Sequence, residues 1–95
     1  MNKMNIIMYT KNNCPNCMRA EFMFSACPTP VNIEKRNVDE NEEHYEFLTK
    51  IMRSNTLPTF LVPDTHGSYE ENGKMYEGYH GFEENLGRLQ ELLGL

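Results

Sequence analysis

Long hydrophobic runs are missing from this chain. The longest apolar stretch near the start, MNIIMY at 4–9, is short and interrupted by Asn5. A signal peptide needs an apolar core of about 7–15 residues and a membrane span about 20. Neither a targeting segment nor a membrane anchor is therefore expected, and the chain reads as soluble. Basic runs are missing too. Nine Lys and Arg stand against 14 Asp and Glu, for a net charge of −5, so nothing could track a phosphate backbone and nucleic acid is not an expected partner. Cysteine is sparse: three is an odd number and too few for the disulfide framework of a secreted mini-protein, which points to a reducing cytoplasm. A glycine-rich phosphate loop is also absent, because Gly78 and Gly81 carry neither GxGxxG nor GK[ST] spacing. No repeat, low-complexity stretch or linker divides the 95 residues, so 1–95 is expected to form a single domain able to bury a core unaided.

What is present is a succession of short elements. MNIIMY is an apolar run ending at a loop, as in a strand buried on both faces. From Cys14 to Cys27 apolar residues recur at Cys17, Ala20, Phe24 and Cys27 until PTP stops the helix. VNIEKRNV at 31–38 mixes β-branched and charged residues, which suits an edge strand. Asp39 is placed to cap a second helix, with Glu42 at capping-box spacing and Leu48, Ile51 and Met52 as its buried stripe. A third strand is expected from about Thr59, opened by Pro58. NGK at 72–74 signals a hairpin into a fourth strand, KMYEGY, and leaves PDTHGSYEE as a long, mobile connection. The last helix is expected over Phe82 to Leu93, with Phe82, Leu86, Leu89 and Leu93 on one face and Gly87 inside. The order is β-α-β-α-β-β-α, an α/β chain.

The chemistry concentrates in KNNCPNCMRA, residues 11–20. Two cysteines three apart could form a redox couple, half of a zinc site, or two small core residues. A strand, a short loop and CxxC opening a helix is the context of a thiol–disulfide motif. With Cys14 at the N-cap and Pro15 at the first helical position, the Cys14 sulfur would face unsatisfied N–H groups of Asn16 and Cys17. The helix dipole, with Lys11 and Arg19 nearby, should lower its pKa from about 8.5 toward a range of roughly 3.5–7.5. Cys14 then attacks a disulfide and Cys17, one turn inside, resolves the mixed intermediate. A tetrahedral zinc site would need two further ligands, and Cys27, His44, His66 and His80 offer no second paired spacing. Cys27 is expected to be buried at the end of the first helix, and the histidines to be solvated.

Three segments in order, MYTKNNCPNCMRA, TLPTF and GYHGFEENL, resemble the glutaredoxin family of the thioredoxin fold over nearly the whole chain. That resemblance implies a four-stranded mixed sheet with the first two strands parallel, the last two in an antiparallel hairpin, and helices on both faces. It implies a cis Leu57–Pro58 bond beside the CxxC, leaving the backbone of Leu57 to pair with an extended peptide or glutathione. Substrate contacts are implied at Lys11, Pro15, Asn16, Thr56, Leu57 and Pro58, and at the turn Gly81, Phe82 and Glu83. Lys11 would meet one carboxylate of glutathione and the turn would hold the other end. No bound cofactor is expected, with glutathione as co-substrate. Asn16 stands where glutaredoxins commonly carry an aromatic residue, and HGFE where they commonly have a Gly-Gly-Cys-Asp-type turn. GF in that turn is similar to glutaredoxin-like redoxins that serve ribonucleotide reductase and are recharged by thioredoxin reductase. Glutathione and thioredoxin reductase are thus both implied as reductants, and ribonucleotide reductase as a protein substrate. VPDTHGS and EGYHGF are also similar to phage-encoded glutaredoxins, which implies a monomer of viral origin acting in a host cytoplasm.

Overall fold

The computed structural model describes residues 4–95. Its elements run β1 (Met4–Thr10), α1 (Pro15–Ala26), β2 (Val31–Asn37), α2 (Glu42–Glu46), β3 (Thr59–Pro63), β4 (Tyr69–Glu71), β5 (Lys74–His80) and α3 (Leu86–Leu92). A π-helical turn, Phe47–Ile51, extends α2, and a 3₁₀ turn, Glu83–Asn85, precedes α3. The strands form one sheet in the order β2-β1-β3-β5-β4. β1 pairs with β2 in parallel and with β3 antiparallel; β5 runs antiparallel to both β3 and β4.

Because β1 is central and covered on both sides, its residues from Ile6 to Thr10 are all buried. Alternation then divides them between two cores. Ile6 and Met8 pack with Phe60, Val62, Ala20 and Phe24 of α1, and Leu89 and Leu93 at α3. Ile7 and Tyr9 pack on the other face with Leu61, Val38, Tyr76, Leu48 and Met52. Helices therefore cover both faces, as the resemblance implied, and β2 is the expected edge strand.

Several expectations require correction. The sheet has five strands rather than four, because Tyr69–Glu71 pairs with β5 across Asn72 and Gly73, whose φ values of 52° and 80° make the tight turn. The stretch expected to be long and mobile is thereby largely tied down. Asp64 Oδ1 accepts the His66 N–H at 2.8 Å, and Gly67 lies so close to the Tyr76 backbone that a Cβ there would overlap it. Asp39 does not cap α2. Asn41 does, its Oδ1 accepting the N–H of Glu43 at 2.9 Å and of His44 at 3.3 Å, because the turn after β2 delays the helix by two residues. Ile51 is 58 % exposed. The π turn, closed by Met52 N–H to Phe47 C=O at 3.0 Å, widens the helix so that Leu48 and Met52 face the core while Ile51 swings off it. The last helix starts at Leu86 and not Phe82, since the Asn85 amide donates to the carbonyls of His80 and Gly81 (2.7 and 2.9 Å) and holds the preceding turn. Leu86 and Cys27 are only half-buried, and His44 is half-buried edge-on to Tyr9 rather than fully solvated.

Candidate active site

The loop after β1 is shaped before the helix begins. Asn13 takes a left-handed φ of 54°, which asparagine tolerates better than most residues, and turns the chain into α1. Asn12 anchors the loop: its N–H donates to Asp39 Oδ2 at 2.9 Å, and its Oδ1 accepts from Asn37 Nδ2 at 3.0 Å. Asp39, read from sequence as a helix cap, therefore braces the cysteine loop against the end of β2.

Cys14 occupies the N-cap of α1 and Pro15 the first helical position. The Cys17 N–H points at the Cys14 sulfur from 3.2 Å, the geometry in which a thiolate gains a hydrogen bond and the positive end of a helix. Cys14 and Cys17 are joined as a disulfide, with Cα atoms 5.2 Å apart, and are 5 % and 2 % exposed. Beside both opens a cleft of about 300 Å³, bounded by the Thr10–Asn13 loop, Met18 and Glu21 of α1, and Lys35 and Asn37 of β2. A larger cavity of about 410 Å³ lies away from the cysteines, between β1, β2 and the β4–β5 turn, and no cysteine lines it.

The other expected residues lie on two further segments, the loop before β3 and the turn after β5. Leu57–Pro58 is cis, and Pro58 is buried. Neither the N–H nor the C=O of Leu57 has a hydrogen-bond partner among the described residues. The loop that presents them is built by hydroxyls the sequence reading passed over. Ser54 Oγ meets Thr59 Oγ1 at 2.8 Å, and Thr59 Oγ1 meets the Thr56 carbonyl at 2.6 Å, with Ser54 and Thr59 both buried. Gly81 joins this loop directly, its N–H donating to the Pro58 carbonyl at 2.9 Å. Its φ of 95° suits glycine alone, and a side chain there would strike the Glu84 carboxylate. Phe82 is buried and Glu83 exposed.

Arg19 reaches from α1 toward the Gly81 turn. Its Nη1 donates to Asn16 Oδ1 at 2.6 Å and lies 3.9 Å from Glu83 Oε1, so α1 and the Gly81 turn are linked over exposed side chains. Lys11 is exposed and makes no ion pair among the described residues. Among those residues no three His, Cys, Asp or Glu side chains cluster as a metal site, and no helix is long and apolar enough to cross a membrane.

An arrangement missed from sequence joins β2 to β4. Arg36 of β2 reaches Glu71 of β4 through two bonds (2.8 and 2.5 Å), and also contacts Glu34 at 2.6 Å and the Tyr9 hydroxyl at 2.9 Å. The bonds to Glu71 hold its carboxyl below the usual glutamate range and make the Arg36 guanidinium harder still to deprotonate, while burial pushes the Tyr9 hydroxyl up. Alternating charges in VNIEKRNV signalled only an edge strand, because the partner is 35 residues away.

Comparison with known proteins adds to this geometry. Residues 6–66 match the glutaredoxin family model. Two solved structures of the thioredoxin-like protein BC3987, one of them a point mutant, superpose with a TM-score of 0.63. They are 26 % and 25 % identical, span 93 % of this chain, and are themselves covered to 99 % and 97 %. A structure described as a malarial protein, 13 % identical with a TM-score of 0.50, covers 99 % of the chain and is itself covered in full (100 %); it bears on the fold alone. No curated protein sequence matches the chain. The fold is thioredoxin-like, an α/β arrangement with a mixed sheet.

Proposed function

Because the chain belongs to the glutaredoxin family, we propose that it is a thiol–disulfide oxidoreductase in which Cys14 is the attacking thiol and Cys17 the resolving one. The observation that carries the reading is the Cys17 N–H directed at the Cys14 sulfur at a helix N-terminus. It favours negative charge on Cys14 rather than Cys17. In the reaction, the Cys14 thiolate attacks one sulfur of a substrate disulfide, forming a mixed disulfide and releasing the other sulfur as thiolate. The Cys17 thiol loses its proton to the departing thiolate or to water and attacks Cys14. This breaks the mixed bond, frees the second substrate thiolate and closes the Cys14–Cys17 disulfide. Two electrons from an external thiol or reductase then restore the dithiol.

The substrate in this reading is a protein disulfide or a glutathione mixed disulfide, laid along the unpaired backbone of Leu57. Thr56 and Pro58 flank that backbone, Pro15 and Asn16 lie at the start of α1, and in this reading Gly81, Phe82 and Glu83, joined to the Pro58 loop through Gly81, hold the other end of the substrate. Lys11, exposed and making no ion pair among the described residues, supports a contact with a substrate carboxylate. Glutathione as co-substrate rests on this cation and on the family. Thioredoxin reductase as electron source, ribonucleotide reductase as protein substrate, and a cytoplasmic, phage-encoded monomer remain proposals carried by the GF turn and the EGYHGF segment. That turn lies beyond the stretch matched to the family.

The test compares Cys14→Ser and Cys17→Ser in turnover assays driven by glutathione with glutathione reductase, and by thioredoxin reductase. Cys14→Ser should abolish reduction of every disulfide. Cys17→Ser should keep activity toward glutathione mixed disulfides, which need no resolving thiol, and lose it toward protein disulfides. Full activity in Cys14→Ser would sink the mechanism, and the faster wild-type reductant identifies the electron source.

A further inference from the structure

The core of α1 is ordinary: Cys17, Ala20 and Phe24 face inward. Its outer face is not. Met18 is 67 % exposed and Phe22 is 74 % exposed, four residues apart and so stacked on one side of the helix. Single exposed apolar residues need no explanation, but a pair aligned with a reactive group does. Met18 sits one turn below Cys14, its N–H donating to the Cys14 carbonyl at 3.1 Å, and it lines the same cleft as both cysteines. From there an open groove continues past Glu21 to Phe22 and Ser25. A shallow apolar hollow follows, between Phe24, Ser25 and the edge-strand residues Val31 and Ile33. The three depressions share Glu21, and Glu21 is held to Lys35 at 3.0 Å. That pair removes a free charge from the floor of the track and leaves apolar contact as its main attraction.

We infer that this face of α1, from Cys14 over Met18 to Phe22, is a docking track for the polypeptide flanking the disulfide of a protein substrate. The inference rests on the oxidoreductase reading above and specifies which substrates that site favours. Length decides the occupant. Cys14 to Phe22 spans about 12 Å along the helix at 1.5 Å per residue, which an extended chain covers in roughly three or four residues at about 3.3 Å each. A protein substrate with an apolar side chain three or four residues from its cysteine places it on Phe22 while its sulfur is at Cys14. Glutathione has one residue on either side of its cysteine and falls short. The track therefore selects protein disulfides with an apolar neighbour and leaves reaction with glutathione-sized disulfides unaffected.

The test is single-turnover reduction by pre-reduced protein, which supplies both electrons itself. The substrates are disulfide-linked dimers of a twelve-residue peptide carrying leucine at the third and fourth positions on both sides of its cysteine, the same peptide with serine there, and bis(2-hydroxyethyl) disulfide. Wild type should reduce the leucine peptide about tenfold faster than the serine peptide, the effect of one well-placed apolar anchor. Phe22→Ala, a change at an exposed side chain, should bring the two peptides to the same rate and leave the small disulfide untouched. Equal rates for the two peptides in wild type would overturn the inference. So would a Phe22→Ala effect of the same size on the small disulfide, or concentration-dependent self-association lost in Phe22→Ala, which would assign the face to a second copy of this chain. Failure of wild type to reduce any of the three would instead sink the oxidoreductase reading.

Discussion

Replacing Arg36 by leucine tests how the β4–β5 hairpin is held. β2 and β4 are opposite edges of the sheet, yet Arg36 and Glu71 meet, so the sheet coils until the hairpin end lies over the Tyr9 face. Leucine retains apolar bulk and deletes four hydrogen bonds at once. The contact with Glu34, whose side chain is 61 % exposed, contributes little because water replaces it. The contacts with Glu71 and Tyr9 dominate. Arg36 is 12 % and Glu71 29 % exposed, and the Tyr9 hydroxyl belongs to a fully buried residue that would lose this partner. A hydrogen bond to a charged group contributes about 1.5–3 kcal/mol net. With partial rehydration of Glu71, the expected loss is about 3 kcal/mol. At about 4–8 °C per kcal/mol for a chain of this size, the melting midpoint should fall by roughly 12–24 °C. Urea denaturation followed by circular dichroism measures the free-energy loss, and a thermal scan the midpoint. Arg36→Lys should recover only part of the loss, since an ammonium cannot reproduce the two-pronged contact. The double variant Arg36→Leu, Glu71→Leu should be more stable than the sum of the singles predicts, because neither charge is left without its partner. An Arg36→Leu variant within about 0.5 kcal/mol of wild type, or strict additivity in the cycle, would refute the reasoning.

Two further outcomes follow from single residues. Because the Glu71 carboxyl is held below its ordinary range by Arg36, its contribution to stability is complete above the unfolded value of about 4.3 and is lost as pH falls from there through the folded value. Wild type should therefore lose more stability than Glu71→Gln in urea titrations carried from neutral pH to below about pH 4, and parallel pH profiles would show that the pair is not coupled to protonation. Gly87 lies exposed inside α3, and a Cβ there would meet nothing within 4 Å. Gly87→Ala, at the second position of the helix, should stabilise by up to about 1 kcal/mol, the value for a helix interior, and so raise the midpoint by at most roughly 4–8 °C; a lowered midpoint would overturn the reading of an unobstructed helical position.

The elements legible in the sequence were those fixed by neighbours in the chain. The short apolar run of β1, the Cys14–Pro15 helix start and the Asn72–Gly73 turn each carry their own physical reason within a few residues, and each was found. Errors gathered where a partner lies far along the chain or where spacing tolerates two outcomes. Asp39 has the side chain of a helix cap, and three positions on stands a glutamate. Only the approach of Asn12 in space shows that its carboxylate is used elsewhere. Ile51 fits an α-helical stripe and misses the π-helical one that forms. Tyr69–Glu71 is too short and polar to announce itself as a strand, and it exists because β5 and Arg36 hold it.

The same distinction applies to the site. Cys14, the nucleophile proposed above, stands out locally, because a helix start supplies N–H groups whatever surrounds it. Nearby cations were a weaker guide. Arg19, counted at first as added positive potential for Cys14, spends its guanidinium on Asn16 and faces Glu83 at 3.9 Å, so much of its field is balanced. On the proposed mechanism the N-terminus of α1 is then the principal source of activation, with Lys11 a nearby cation that makes no ion pair among the described residues. In the proposed oxidoreductase such a division would place activation in the backbone at Cys14 and recognition in exposed groups, Lys11 on one side and Met18 with Phe22 on another, so that recognition could be altered without disturbing the chemistry.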